Sequence, residues 1–526
     1  MRTNVKETPS ASCNPLHARH FDENMLCDDL TDGRKIMLPT AARFRVNRAG
    51  RMRVWWFMCA ALLLMSGANL AAPAQSMSAR ISVVSQTPPR IRVEALRAEG
   101  TKAWSFRNAY AGIIGLGERI ENLSLSDARG GEIAARKLAS GEYEAERAAT
   151  NASYELKLDP PRGTNDTAHV SWLTAVRGVL MPGDLLPLPA GRAKLTLKLP
   201  DNWKVATLEP RNGEGQYEIE DAEASIFFVG ADLRTMQTSA SGMDVTFAAA
   251  GEWAFADKDV AGVIRDIIEK HTRVAGRSPR KNALIVLAPF PQTADASRWS
   301  AETRGGTIFF LSGRSTSKAA GLASLSVPLV HEIFHLWVPH ALALSGDYPW
   351  FYEGFTVYQS MRVSVDLGYL TFEEYLNSLA RAYDNYLVQR EQDKYSLVEA
   401  SARRWSSGAL VYHKGMLVAA LYDLTVRRDS RGKRSLEHVY QALFRKRGTG
   451  IGRQEGNAAV IAALNSVAGG SDFSKRYIES ANPLDLDAAL GAFGLKAERR
   501  GSRTQITVAD SISRAQRDLL RRMGYN

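Results

Sequence analysis

The spacing of apolar positions along the chain changes character near residue 257. From Ile81 to about Phe247 short alternating segments, among them ARISVVS, SYELKLD, AKLTLKLP and QYEIEDAEASIFFVG, are separated by Pro, Gly and Asn turns. This is the pattern of strands with one buried face, and so many at close spacing predict an antiparallel sandwich or saddle of β-sheet. Past Asp257 the period becomes helical, with Val260, Val263, Ile264, Ile267 and Ile268 on one face of KDVAGVIRDIIEKHTRVAG. Two buried strands follow, NALIVLAPF and GGTIFFLSG, and then long helical patterns over about 319–344, 353–365, 371–389 and 407–428. The tail from Asp472 reads as a last helical stretch, with Arg517, Arg521 and Arg522 on a solvated face. The expected fold class is therefore α+β: a β-sheet domain over 75–255, a mostly helical domain over 256–470, and a helical tail over 471–526.

One long apolar run lies outside this plan. Val54 to Met65 (VWWFMCAALLLM) follows five arginines between Arg43 and Arg53 and leads into Ala72-Pro73-Ala74. A basic flank, an apolar stretch and small residues before a cleavage point are the three parts of an export signal. Ser66, Gly67 and Asn69 break the run well short of the roughly 20 apolar residues a membrane span needs. Residues 52–74 are thus expected to be a signal peptide cut after Ala74, with Met52 as the true start and 1–51 an extra, untranslated segment. The mature protein is expected in the periplasm or outside the cell, touching a membrane only through the signal. Cys13, Cys27 and Cys59 all fall in the part that would be lost, which leaves no disulfide framework and no cysteine metal site.

Composition narrows the partners. The chain has 526 residues, 45% hydrophobic and 23% charged, an ordinary globular mix. Its net charge of +11 is spread out rather than clustered, so nucleic acid is not an expected partner.

Within VPLVHEIFHLW, His331, Glu332 and His335 form HExxH on a predicted helix. Four residues turn a helix by about 400°, so both imidazoles leave one face and can share one zinc ion. Glu332 then stands beside the first ligand, where its carboxylate can take a proton from a metal-bound water without itself binding the metal. A chance match is expected roughly 0.02 times in a chain of this composition, and three polar side chains on an otherwise apolar helix would be costly without a role. A catalytic zinc needs a third protein ligand. Glu353 in WFYEGFTVYQ, at the start of the next helix, is the candidate; a Glu there also suits the helix dipole, but behind HExxH at this spacing the ligand reading prevails. That arrangement is the one found in thermolysin-like enzymes, the gluzincins.

HEIFHLW, WFYEGFTVY, SLVEASARRW and VYHKGMLVAALYDLTVR, in this order, resemble the glycyl aminopeptidase family of zinc metallopeptidases, and the resemblance covers most of residues 90–495. It implies a thermolysin-like catalytic domain behind an N-terminal β domain, zinc as the cofactor at one ion per chain, and peptide or protein substrates. It also implies that Tyr412, the Tyr of a VYxKG segment, donates to the oxyanion; on the residues alone Tyr412 would be a core aromatic. Three departures stand out. Val338 replaces an Asn common after the HExxHxW tryptophan, so a contact near the ligands is expected to be missing. Aminopeptidases of this clan carry a Glu on the strand ahead of HExxH to bind the substrate's free amine. The matching stretch is read as Gly305-Gly306-Thr307-Ile308-Phe309, with no carboxylate, so Gly305, Gly306 and Thr307 are expected to bind substrate through their backbone. The residues after Leu495 are too few for the PDZ domain usual in the family. His340, His413 and His438 are read as non-ligands.

The sequence therefore points to an exported zinc metallopeptidase, aminopeptidase-like or an endopeptidase, held by His331, His335 and Glu353 with Glu332 as general base and Tyr412 at the oxyanion. Two alternatives are an inactive peptide-binding scaffold of the same fold and a metallohydrolase of non-peptide substrates.

Overall fold

The computed structural model describes residues 77–389, 392, 394–447, 453–470 and 472–525. The expected signal segment, the residues before it and the three cysteines lie outside these. No helix among the described residues is long and apolar enough to cross a membrane.

The first half of the chain is sheet, as the alternation predicts. An eight-stranded sheet is built around the long strands Pro89–Ser105 and Glu142–Lys157, with Met77–Gln86 beside the first and Ile120–Ser126 beside the second. Along Met77–Gln86, Met77, Ala79 and Ile81 are buried and Ser78 and Arg80 exposed, the period-2 signature of a sheet with one wet face. A smaller four-stranded sheet, with Phe227–Gly230 between Lys204–Ala206 and Arg177–Leu180, completes this part.

A third sheet organises the second half. Its order is Arg234–Ala240, Met243–Ala249, Asn282–Pro289, Thr307–Ser312 and, outermost, Trp299–Arg304. Residues 234–249, which the sequence pattern grouped with the first domain, thus pair into the second domain's sheet. The sheet is covered on both faces, which is why Asn282–Pro289 and Thr307–Ser312 read as unbroken apolar runs. Leu284, Val286, Phe309 and Leu311 face the four-stranded sheet through Trp172 and Phe228, whose ring lies 5.7 Å from that of Phe309. Ile285, Leu287, Ile308 and Phe310 face the helices.

Helices cover that second face, two packed on it directly and two more packed behind them. Asp257–Ala275 buries Val260, Ile264, Ile267 and Ile268 and stops at Gly276, whose left-handed backbone (φ 78°) lets its N–H reach the Thr272 carbonyl at 2.8 Å. The motif helix Lys318–Phe334 starts at Ser317, whose side chain accepts from the Ala320 N–H, and is buried from Leu325 to its end. It is shorter than the apolar pattern suggests, because the chain turns after Phe334 while Leu336, Trp337 and Val338 stay buried. The helix Thr356–Asp366 is entered through a π-helical turn, Trp350–Phe355. The long helix Arg404–Asp429 crosses that turn, with a kink at Ser407.

The tail departs from expectation in part. Short helices at Phe473–Tyr477, Leu486–Leu490 and Arg514–Arg521 flank an antiparallel hairpin, Leu495–Arg500 with Arg503–Val508 around Gly501, that the helical reading does not contain. LKAERR and RTQITV flank a turn as two short strands do, while Arg517, Arg521 and Arg522, read as a solvated helix face, are exposed on the last helix and its C-cap.

Candidate metal centre

His331 lies in the last turn of the motif helix and His335 is its C-cap, still with helical backbone (φ −62°, ψ −22°). The i, i+4 relation therefore survives, and the two Nε2 atoms lie 3.1 Å apart. The His335 Nδ1–H donates to the Val338 carbonyl at 2.9 Å. A carbonyl can only accept, so Nδ1 carries the proton and Nε2 keeps its lone pair for a metal. Val338 makes this contact through its backbone, so the orienting bond needs no Asn side chain at that position.

Glu353 reaches the same point from the π-helical turn. Its Oε2 lies 3.8 Å from His331 Nε2 and 3.6 Å from His335 Nε2. π-turns inside helices recur at functional sites because they shift side chains off the regular 3.6 spacing. Gly354 is what allows the turn to sit where it does: a Cβ on it would lie 2.6 Å from the Val411 carbonyl oxygen and 2.7 Å from Gly415 Cα. The long helix passes over the turn at contact distance, and Tyr412 is next to that crossing, partly buried against the core.

The three donors fit zinc. A tetrahedral ion about 2.0–2.1 Å from each donor spaces the donors about 3.3 Å apart, and the observed separations bracket that value. His331, His335 and Glu353 are the group able to hold a metal among the described residues, all three buried. Burial, then the neighbouring His335 and His271, hold the His331 imidazole well below its usual pKa and hence neutral, as a ligand must be. Glu332 is also buried, at 7% exposure. Burial pushes its pKa up, against the pull of His335 and the hydrogen bond from Thr303, which suits a group that must accept a proton near neutral pH. His340, His413 and His438 are outside the cluster.

The expected substrate-binding residues require correction. Gly305 and Gly306 lie between the strands Trp299–Arg304 and Thr307–Ser312, and Thr307 begins an inner strand paired on both sides, from Leu284 to its own 307 and from Arg304 to the same residue. An inner strand has no free edge to offer a peptide. The free edge belongs to Trp299–Arg304, a strand that the sequence reading missed, and this strand carries a carboxylate, Glu302. WSAETR does alternate, but its polar residues hide it. Glu302 Oε1 accepts from Arg304 Nε at 2.8 Å and from the Tyr110 hydroxyl at 2.6 Å, and His169 of the first domain pairs with its other oxygen. Burial opposes ionisation of Glu302, but His169, Arg304 and Tyr110 outweigh it and bring the carboxyl down to about 2. On the opposite side of the strand Thr303 Oγ1 donates to Glu332 Oε2 at 2.9 Å.

A sheet domain packs on a five-stranded sheet, with HExxH on a covering helix and a Glu from the next, which is the arrangement the motif resemblance implies. No family model and no curated protein matches the chain. Among solved structures it is similar to an aminopeptidase N family protein from Idiomarina loihiensis, at 18% identity and a TM-score of 0.69, over 81% of this chain and 79% of that one. It is also similar to an M1 zinc metallopeptidase from Deinococcus radiodurans, at 13% identity and a TM-score of 0.50, over 78% and 94%. The chain has the fold of these proteins, in line with the resemblance carried by its motifs.

Purified, zinc-reconstituted protein is expected to hold one zinc per chain by metal analysis. A His331→Ala, His335→Ala double variant should lose it, and Glu353→Ala should bind it far more weakly. Full zinc retention in the double variant would place the metal elsewhere.

Proposed function

We propose that the protein is an exported zinc-dependent peptidase. The observation that carries this is the convergence of His331, His335 and Glu353 beside Glu332 and the open edge of Trp299–Arg304. Bound there, zinc supplies a Lewis acid for the scissile carbonyl and lowers the pKa of water to about 7. The remaining work falls to the chain. An extended peptide adds to the edge strand by backbone hydrogen bonds, which sets its carbonyl beside Glu332. The Glu332 carboxylate takes the proton of the attacking water and passes it to the leaving amine. Tyr412 is assigned the hydrogen bond to the carbonyl oxygen as it gains charge, on the strength of its motif and its place beside the Gly354 crossing. Peptide as the substrate class is supported by the Deinococcus radiodurans structure of similar fold that was solved with a Tyr-Ser-Ala substrate.

Glu302 bears on which peptides are cut. A free α-amine gains most from a carboxylate with unspent charge. Glu302 is already committed to Arg304, Tyr110 and His169, so an incoming ammonium must displace a buried guanidinium or go without. We infer that recognition does not depend on a free amino end. Export rests on the apolar segment from Val54 and the small residues at Ala72-Pro73-Ala74.

Glu332→Gln is expected to keep its zinc and lose about 10² to 10⁴ in kcat; activity within a few-fold of the parent would remove Glu332 as the base. In a matched pair of peptides, acetylated and free, the acetylated one should be cut at least as fast, and stepwise release from free amino ends alone would overturn that reading. Amino-terminal sequencing of protein recovered from the exporting cell should begin at Gln75; an intact Met1 or Met52 start would contradict cleavage.

A further inference from the structure

Thr303 occupies an unusual position on the edge strand. The alternation of Trp299–Arg304 sends Glu302 and Arg304 towards the first domain and Thr303 towards the motif helix. Its hydroxyl donates to Glu332 Oε2 at 2.9 Å, and its carbonyl accepts from the His340 Nε2–H at 3.1 Å. One residue is thereby tied to the general base and to the turn that follows HExxH.

The tie matters because of where Glu332 would otherwise go. It is the sequence neighbour of His331, is buried, and carries a carboxylate, a group that ligates zinc as readily as Glu353 does. In a low-dielectric site a dication attracts any carboxylate within a few ångströms. A fourth protein ligand would close the position that a catalytic site keeps open. Yet the donor atoms of His331, His335 and Glu353 lie within 4.8 Å of one another, and Glu332 is outside that group. Among the described residues, Thr303 is the hydrogen-bond donor to its side chain.

We propose that Thr303 is a positioning residue whose hydroxyl tethers Glu332 to the edge strand and keeps its carboxylate out of the metal's coordination shell. The proposal rests on the metal reading of the three ligands and on nothing about turnover. It also links two functions of one strand: the segment that would pair with an extended peptide fixes the base relative to that peptide.

The test compares full-length parent, Thr303→Val, which keeps the shape and removes the hydroxyl, and Thr303→Ser, which keeps the hydroxyl, each loaded with cobalt(II) in place of zinc. Four-coordinate cobalt absorbs visible light severalfold more strongly than five- or six-coordinate cobalt. T303V should lose intensity severalfold as Glu332 joins the ion, T303S should keep the parent spectrum, and T303V in an E332Q background should match E332Q alone. On a peptide the parent hydrolyses, T303V should lose about 10²-fold in kcat, the usual cost of a reacting group misplaced by about 1 Å, with KM little changed and T303S restoring most of the loss. An unchanged T303V spectrum, a T303S variant as altered as T303V, a spectral change that persists without Glu332, or a T303V chain that takes up no cobalt would each overturn the tether. A parent that cleaves no peptide while T303V still shifts the spectrum would sink the peptidase reading and leave the tether standing.

Discussion

The contact between Gly354 and Gly415 fixes the geometry on which the metal centre depends. Two helices approach so closely here that a methyl group on Gly354 would meet the Val411 carbonyl oxygen at 2.6 Å. Such overlap is relieved only by moving backbone, and cores resist that at a cost of about 1–3 kcal/mol. The residue before Gly354 is Glu353, and the residue after Val411 is Tyr412. Spreading the helices would therefore draw the third ligand away from the two imidazoles and carry Tyr412 outward with its helix. The π-helical turn at Trp350–Phe355 belongs to the same arrangement: the helix is widened where another helix lies against it, and Glu353 in the widened turn is the side chain that meets the two imidazoles.

Electrostatics explains why the arrangement makes sense as a site and poor sense as a core. His331, His335, Glu332 and Glu353 are all buried, and two carboxylates with two imidazoles so close together are expensive to desolvate. A dication repays much of that cost and reverses the preference of the local charges. The behaviour of His331 fits this, since an imidazole held neutral by burial is a poor ion-pair partner for Glu353 and a good metal ligand. A buried charge behind the site is, by contrast, paired outright. Asp423 accepts from Arg427, Tyr358 and the Leu436 N–H, and so it braces the helix behind the site without any need for an ion.

The ligands were legible because metal binding demands particular residue types at helical spacing, and the three specified residues of HExxH suffice to state that demand. Gluzincin geometry added Glu353 from one further segment. The edge strand was not legible, for a physical reason. A strand at the rim of a sheet does not need an apolar face on both sides, and in WSAETR the polar residues find partners on the other domain and on the motif helix rather than in solvent. Read alone, it resembles a loop, while the glycine pair after it resembles a binding segment. The tail hairpin escaped for a related reason: its charged positions fit a helix face as well as the outward side of two short strands. The π-turn escaped because Gly354, which the close approach of the crossing helix requires, does not by itself distinguish a widened turn from an ordinary helical one.

The same strand explains why the two domains act as one site. Phe309 and Leu311 of the second sheet pack against Trp172 and Phe228 of the four-stranded sheet, and this apolar layer brings the first domain to the rim strand. Tyr110 and His169 then close on Glu302, and Arg304 donates back to the His169 carbonyl at 2.9 Å. A rim strand pinned on one side by the first domain and on the other by Thr303 and His340 has little freedom to slide or fray, although among the described residues its outer edge has no neighbouring strand. On the proposed function, an edge that receives a peptide in one register benefits from such fixing, because each residue ordered in advance is entropy that binding need not spend. In this reading the first domain contributes to recognition chiefly by holding the receiving strand still, and the charge it brings to Glu302 is the means of holding.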